Sequence, residues 1–222
     1  MHRYRQLGEA VEGVQMSQIT IVGCGPGSRE YASQASFRAI ADADLLVGAQ
    51  RLLDDFGECK NSVPYTSVAE ILQVIRDNRK KNVAVLVTGD PGFYSITALV
   101  TSEFPPPATA IIPGISSMTY AFSKLGLMWH DTVFISAHKE MPENFAQIAA
   151  ASRKLGILTS PRHTVARCAA ALKVNDKETW RFYVGTRLSY PDEQLGEYSF
   201  DEVCEMDTGD LSVLLLIKKD LS

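Results

Sequence analysis

Cysteine is scarce and scattered in this sequence: four in 222 residues, at Cys24, Cys59, Cys168 and Cys204. They form no Cys-x-x-Cys pair, which argues against a zinc knuckle, a thioredoxin-like redox site and a secreted disulfide scaffold, and reduced thiols are the simplest reading. No apolar run comes near the roughly 18 residues that a membrane-spanning helix needs, and residues 1–15 lack the apolar stretch of a signal peptide. A cytoplasmic protein without a membrane partner is therefore expected. An excess of one charge is missing as well. The 22 Lys and Arg and the 26 Asp and Glu are mixed along the chain, with no basic stripe interleaved with aromatics, so nucleic acid is not expected as a partner.

What is present is enough apolar material, 45% of residues, for a substantial core in one compact α/β protein or in two small domains sharing a cleft. Residues 1–17 carry no strand or strong helix signal and are read as a disordered extension or the product of an upstream start. From Gln18 short β-branched runs alternate with helical stretches, the pattern of a wound parallel sheet. Strands are predicted at Ile19 to Val22, Asp44 to Val47, Val83 to Val87 and Ala108 to Ile112, with helices at Arg29 to Ala43, Val68 to Asn78 and Ser116 to Leu125. Further strands are predicted at Thr132 to Ser136, Gly156 to Thr159, Arg181 to Val184 and Ser212 to Ile217, with helices at Glu143 to Ala151 and Val165 to Leu172. The expected fold class is thus α/β, as two small α/β domains with a cleft between them. The N-terminal domain, 18–113, carries a mostly parallel sheet, and the C-terminal domain, 114–222, a mixed one.

Three glycine-containing segments follow predicted strands. Gly23-Cys24-Gly25-Pro26-Gly27 sits where a dinucleotide fingerprint would, but the third glycine of that pattern falls at Ser28, and Pro26 lacks the backbone donor that a pyrophosphate cradle uses. The second strand also ends at Val47-Gly48, without the acidic residue that would hold a ribose hydroxyl. Thr88-Gly89-Asp90-Pro91-Gly92-Phe93-Tyr94 reads equally as an exposed set of backbone donors and acceptors or as an Asp-Pro-Gly turn. Ile112-Pro113-Gly114-Ile115-Ser116-Ser117 places two hydroxyls at a helix start, where either serine can be a plain cap. Three such loops at the ends of strands in one half-sheet converge on one crevice if the sheet is parallel.

In this order, from Ile19 to Ile217, these segments resemble the tetrapyrrole (corrin/porphyrin) methylases. Within that family they are similar to the enzymes that methylate C-5 of a corrin precursor. That likeness rests on Val47-Gly48-Ala49-Gln50-Arg51-Leu52-Leu53, Gly92-Phe93-Tyr94, the run Ala121 to Trp129, Ser136-Ala137-His138 and Tyr190-Pro191-Asp192-Glu193. Two places depart from the family pattern: Thr186-Arg187-Leu188-Ser189 replaces an expected Glu-Asn-Leu-Gly, and Lys139 stands where glycine follows the histidine. No second methyltransferase unit follows Ser222, so a single methylation is expected, with a separate C-15 methyltransferase and decarboxylase as a possible functional partner.

The resemblance implies S-adenosylmethionine as cofactor, leaving as S-adenosylhomocysteine, and a tetrapyrrole substrate in cobalamin biosynthesis. It implies cofactor contacts from Asp90, Gly92, Phe93, Ser116, Ser117, Leu158, Thr159, Gly185 and Leu211, and a substrate trough floored by Gly25, Pro26 and Gly27 with Arg51 and Tyr94 beside it. It also implies a homodimer and requires no metal. His138, at a strand end, is the candidate general base by its ordinary pKa range, although a structural histidine is the plainer reading. Tyr94 and Asp90 are weaker options for that role. Arg51, Arg162, Arg187 or Lys139 could hold anionic arms of the substrate. Other readings stay open: a methyltransferase for another ring position, for uroporphyrinogen or for a diphthamide precursor, an NAD-type oxidoreductase, and a non-catalytic corrinoid carrier.

Overall fold

The computed structural model describes residues 18–57, 61–65, 67–138, 140–172, 178–209 and 211–219. The extension read at 1–17, together with Cys59 and Lys139, lies outside the described residues. In the first half, β1 (Ile19–Gly23), β2 (Leu45–Gly48), β3 (Ser62–Pro64), β4 (Val83–Val87) and β5 (Thr109–Ile112) form one sheet in the order β3-β2-β4-β1-β5. Every neighbouring pair is parallel. Its central strands are continuous apolar runs because helices cover both faces. On one face α1 (Gln34–Asp42) and α2 (Gln50–Phe56) place Ile40, Leu52 and Phe56 against Val22, Leu46 and Leu86. On the other, α3 (Val68–Asp77) and α4 (Thr97–Glu103) place Ile71, Ile75 and Val100 against Ile21, Val47 and Val85. Burying such side chains stabilises the fold by about 1.5–3 kcal/mol each before entropy is counted.

The helix α5 (Ser117–Lys124) follows β5 in the chain but packs on the second sheet, with Met118 and Phe122 against Val213 and Leu215. That sheet is built from β6 (Thr132–Ser136), β7 (Lys154–Leu158), β8 (Trp180–Thr186), β9 (Gln194–Tyr198) and β10 (Ser212–Lys218), in the order β6-β7-β10-β8-β9. Only β6 and β7 run parallel; the other pairs are antiparallel. Its far face carries α6 (Phe145–Ala151), α7 (Val165–Ala170) and α8 (Phe200–Glu205) through Phe145, Cys168 and Val203.

Two expectations from the sequence need correction. The single helix expected over Arg29 to Ala43 is split: a short 3-10 turn at Arg29–Tyr31 is followed by an extended Ala32 and Ser33 before α1 begins. Two capping serines compete for the chain here, Ser28 accepting from Glu30 N and Ser33 from Ser36 N, and each resets the helix start. The strand expected at Gly156 to Thr159 begins two residues earlier, at Lys154, which as a lysine reads as a boundary. Lys154 is only 9% exposed and its ammonium is satisfied by Met128 O at 2.8 Å and Asp131 Oδ1 at 2.7 Å. The elements α2, β3, α4, β9 and α8 go beyond the sequence expectation; each has seven residues or fewer, too short for a clear period.

The Lys154 pair gives a pH signature. The hydrogen bond from Lys154 holds the Asp131 carboxyl below the usual carboxylate range. A folded-state pKa below the unfolded value of about 3.9 contributes stability that is present above that value and lost as pH falls through the folded pKa. Urea midpoints of wild type and Asp131→Asn should therefore differ most near neutral pH and converge below about pH 4. A gap unchanged down to strongly acid pH would show that the carboxylate charge is not what matters.

Candidate active site at the meeting of the glycine loops

In the first sheet β1 lies between β4 and β5, so the three glycine segments leave adjacent strand ends. Their backbones touch. Gly25 and Gly89 form a two-way bridge, Gly25 N to Gly89 O at 3.3 Å and Gly89 N to Gly25 O at 2.7 Å, both residues with positive φ (78° and 74°). A Cβ on Gly114 would stand 2.3 Å from Gly89 O, and one on Gly23 would stand 2.7 Å from Gly114 N. Only glycine allows approach this close.

Asp90 locks the arrangement. Its Oδ1 accepts from Gly92 N at 2.7 Å, within its own turn, and its Oδ2 accepts from Gly114 N at 2.9 Å, after β5. The second bond passes over the end of β1, where Gly23 leaves room: a Cβ there would also meet Pro91 at 2.8 Å. Ser36 Oγ donates to Gly23 O at 2.8 Å and fixes α1 to the same point.

This packing consumes donors that a phosphate cradle would use. Cys24 N donates to Val87 O at 2.9 Å, Gly25 N to Gly89 O, and Ser28 N to Ser189 Oγ at 2.8 Å, while Pro26 has no N–H. The first glycine loop is thus a structural junction. Cys24 is equally quiet: burial pushes its thiol up to about 12, which leaves it protonated and unreactive at neutral pH.

A cavity of about 230 Å³ opens where these loops face the second sheet. The first half contributes Pro26, Thr88, Gly89, Asp90, Phe93 and Tyr94, and the start of α5 contributes Ser116 and Ser117. Across from them stand His138, Leu158 and Thr159 at the ends of β6 and β7, Arg187, Leu188 and Tyr190 beyond β8, and Leu211, Ser212 and Val213 at the start of β10. Of the residues singled out from sequence, Asp90, Phe93, Ser116, Ser117, Leu158, Thr159, Leu211, Pro26, Tyr94, His138 and Arg187 border this space. Arg162 does not, its carbonyl accepting from Arg167 Nη1 at 2.7 Å, and five more do not. Gly92 serves Asp90, Gly25 pairs with Gly89 and Gly27 lies against the Tyr190 ring, each in space too tight for a side chain, and Gly185 lies close under Leu188. Arg51, on α2, reaches Tyr190 and Thr88 from behind.

Ser116 is a helix cap, its Oγ accepting from Thr119 N at 3.1 Å, and it is also buried at the cavity wall. Thr159 Oγ1 donates to Ser212 O at 2.6 Å and so ties the end of β7 to the start of β10. His138 Nδ1 lies 3.0 Å from Thr159 O. A carbonyl only accepts, so in the neutral ring Nδ1 carries the proton and Nε2 the lone pair. Tyr94 donates to Phe134 O at 2.7 Å, and burial raises its phenol, which leaves it un-ionised at neutral pH.

Sequence reasoning did not place Leu188 and Tyr190 in the site. They lie in the turn between β8 and β9, where Arg187 and Ser189 have φ of 47° and 70°. With Tyr94 at 51°, these are the non-glycine residues of positive φ among the described residues, and all three lie at or beside the cavity. Such backbone is held only where its surroundings over-determine it. The Tyr190 hydroxyl bonds Arg51 and, at 3.3 Å, Asp55 Oδ2, so this turn of the second half is fastened to α2 of the first. Glu193 anchors the same turn. Burial pushes its carboxyl up, but bonds from Tyr120, Ser189 N and Lys124 outweigh that and hold it below its ordinary value.

Comparison with known proteins agrees with this architecture. Residues 18–204 match the family described as Tetrapyrrole (Corrin/Porphyrin) Methylases. The cobalt-precorrin-7 C(5)-methyltransferase of Salmonella typhimurium is 31% identical over 180 residues, 80% of this chain and 88% of that protein. Among solved structures, the cobalamin biosynthesis precorrin-6Y methylase of Archaeoglobus fulgidus superposes with a TM-score of 0.70 at 22% identity, covering 91% of this chain and 98% of the other. A uroporphyrin-III C-methyl transferase of Thermus thermophilus, solved with S-adenyl homocysteine, superposes with a TM-score of 0.72 at 18% identity, covering 90% and 92%. With its two sheets, its three joined loops and a family match over most of its length, the chain belongs to the tetrapyrrole (corrin/porphyrin) methylases.

Proposed function

We propose that the protein transfers a methyl group from S-adenosylmethionine to C-5 of a corrin precursor of the cobalt-precorrin-7 type, in cobalamin biosynthesis. One observation carries the reading: the joined glycine loops and the strand ends of the second sheet frame one cavity in a chain 31% identical to a C-5 methyltransferase over 80% of its length.

The lining suits such a cofactor. Phe93, Leu158, Leu188, Leu211 and Val213 supply apolar surface for an adenine ring and a thioether, and Thr88, Ser116, Ser117, Thr159 and Ser212 supply hydroxyls for ribose and amino-acid groups. Bound there, the cofactor supplies an electrophilic methyl group on a sulfonium. The protein's own contribution is alignment and exclusion of water, and fixing a reacting pair in geometry is worth about 7–11 kcal/mol of barrier. Asp90 acts through the backbone, holding the second and third loops at one spacing; Gly92 and Gly185 act by leaving room for Asp90 and Leu188. His138, which borders the cavity and keeps its lone pair on Nε2, takes the proton shed by the acceptor ring. Pro26 and Tyr94 form the acceptor side of the cavity, with Arg51 behind Tyr190. The division into domains 18–113 and 114–222, a cytoplasmic homodimer and a separate C-15 methyltransferase and decarboxylase as functional partner complete the reading. Among the described residues no helix is long and apolar enough to cross a membrane.

Labelled S-adenosylmethionine incubated with cobalt-precorrin-7 and with uroporphyrinogen III should label only the corrin; label in uroporphyrinogen alone would overturn the acceptor. Asp90→Ala leaves two amides without an acceptor and should cost about 1–3 kcal/mol of stability in urea titrations. The same variant should lose most S-adenosylhomocysteine affinity by calorimetry, and wild-type binding would remove Asp90 from the cofactor site. His138→Gln should lower kcat while the Michaelis constant for the cofactor barely moves. An unchanged kcat would exclude the histidine as base.

A further inference from the structure

Arg187 stands at the rim of the cavity. It borders the cavity on one side and, on the other, a groove along β8 and β9 that also contains Asp192. Its backbone turns back with φ 47°, anchored by Arg187 N to Leu211 O at 2.8 Å. Its guanidinium carbon lies 4.9 Å from the centroid of the Tyr190 ring. Tyr190 is itself immobilised, with Arg51 5.6 Å from the same ring and bonded to its hydroxyl, and with Gly27 pressed against it. The guanidinium therefore has a firm seat.

Its ionic partner is much less firmly held. Among the described residues the one carboxylate on Arg187 is Asp192, at 2.5 Å from Nε, and the two side chains are 48% and 60% exposed. An exposed ion pair of this kind is weak and exchanges partners readily. Arg51 differs, since it is held at once by Tyr190, Thr88 and Asp55.

We infer that Arg187 is the specificity-determining residue for an acidic arm of the acceptor, taking a substrate carboxylate at the cavity mouth in place of Asp192. The inference rests on the corrin reading above only in supplying an acceptor with carboxylate arms. Asp192 is then a competitor for the guanidinium, and its removal acts in the opposite direction to removal of Arg187. A merely structural pair would make both variants weaken binding, since either would loosen the turn.

Calorimetry with two probes tests this: cobyrinic acid, a corrin whose arms are carboxylates, and its fully methyl-esterified form. Arg187→Gln should weaken the acid about tenfold, and Asp192→Asn should tighten it about threefold. The ester should bind wild type and both variants alike. Weaker binding of the acid by both variants, or equal sensitivity of acid and ester, would overturn the inference while leaving the corrin reading in place. Failure of wild type to bind either corrin would overturn the corrin reading and this inference with it.

Discussion

Asp90 makes one carboxylate serve two loops that the chain separates by 24 residues. Because β1 lies between β4 and β5, the bond from Gly114 N to Asp90 Oδ2 must cross the end of β1, and it can do so only where the chain below has no side chain. Gly23 and Gly114 are thus required by one geometric fact, the close stacking of backbones at the end of a parallel sheet, and Gly89 by its φ of 74°. The cavity wall of the first half follows from it. Phe93 and Tyr94 are presented by the turn that Asp90 closes, and Ser116 and Ser117 by the helix start just after Gly114.

The second half meets this wall by a different device. The ends of β7 and β8 and the start of β10 lie together because β10 runs antiparallel to both. Thr159 and Ser212 join two of those ends through their hydroxyls. The third, after β8, is held from outside its own sheet, by Arg51 and Asp55 on Tyr190 and by Ser28 N on Ser189. Contacts within the second half and the fastening across to the first together hold Arg187 and Ser189 in left-handed backbone.

Much of this was legible in the residues, and the failures have physical causes. Strands such as β4 and β6 could be read to the residue, since β-branched runs bounded by turn residues leave few alternatives. The first glycine loop was also readable as something other than a phosphate cradle, from Pro26 and Ser28 alone, and the spent donors explain why. Lys154 misled because a buried lysine is acceptable only with partners, and Met128 O and Asp131 come from a turn far off in sequence. Arg51, Gly27 and Tyr190 illustrate the same limit. Each could be singled out or passed over from the sequence, but their mutual contact joins α2, the first loop and the turn after β8, and no local pattern encodes a pairing 139 residues apart.

The two sides of the cavity therefore tolerate change differently. On the loop side the contacts are backbone to backbone at distances where one added methyl group collides, so substitution at Gly114 or Asp90 alters the cavity itself. At the mouth, Arg187 and Asp192 are exposed side chains on a turn that is pinned independently through Tyr190, Ser189 and Glu193. Replacing them changes charge at the rim while the pins stay in place. A fold organised this way can keep the shape of the cavity while charge at its mouth changes, because the tight backbone contacts of the loop side do not involve the exposed pair at the rim.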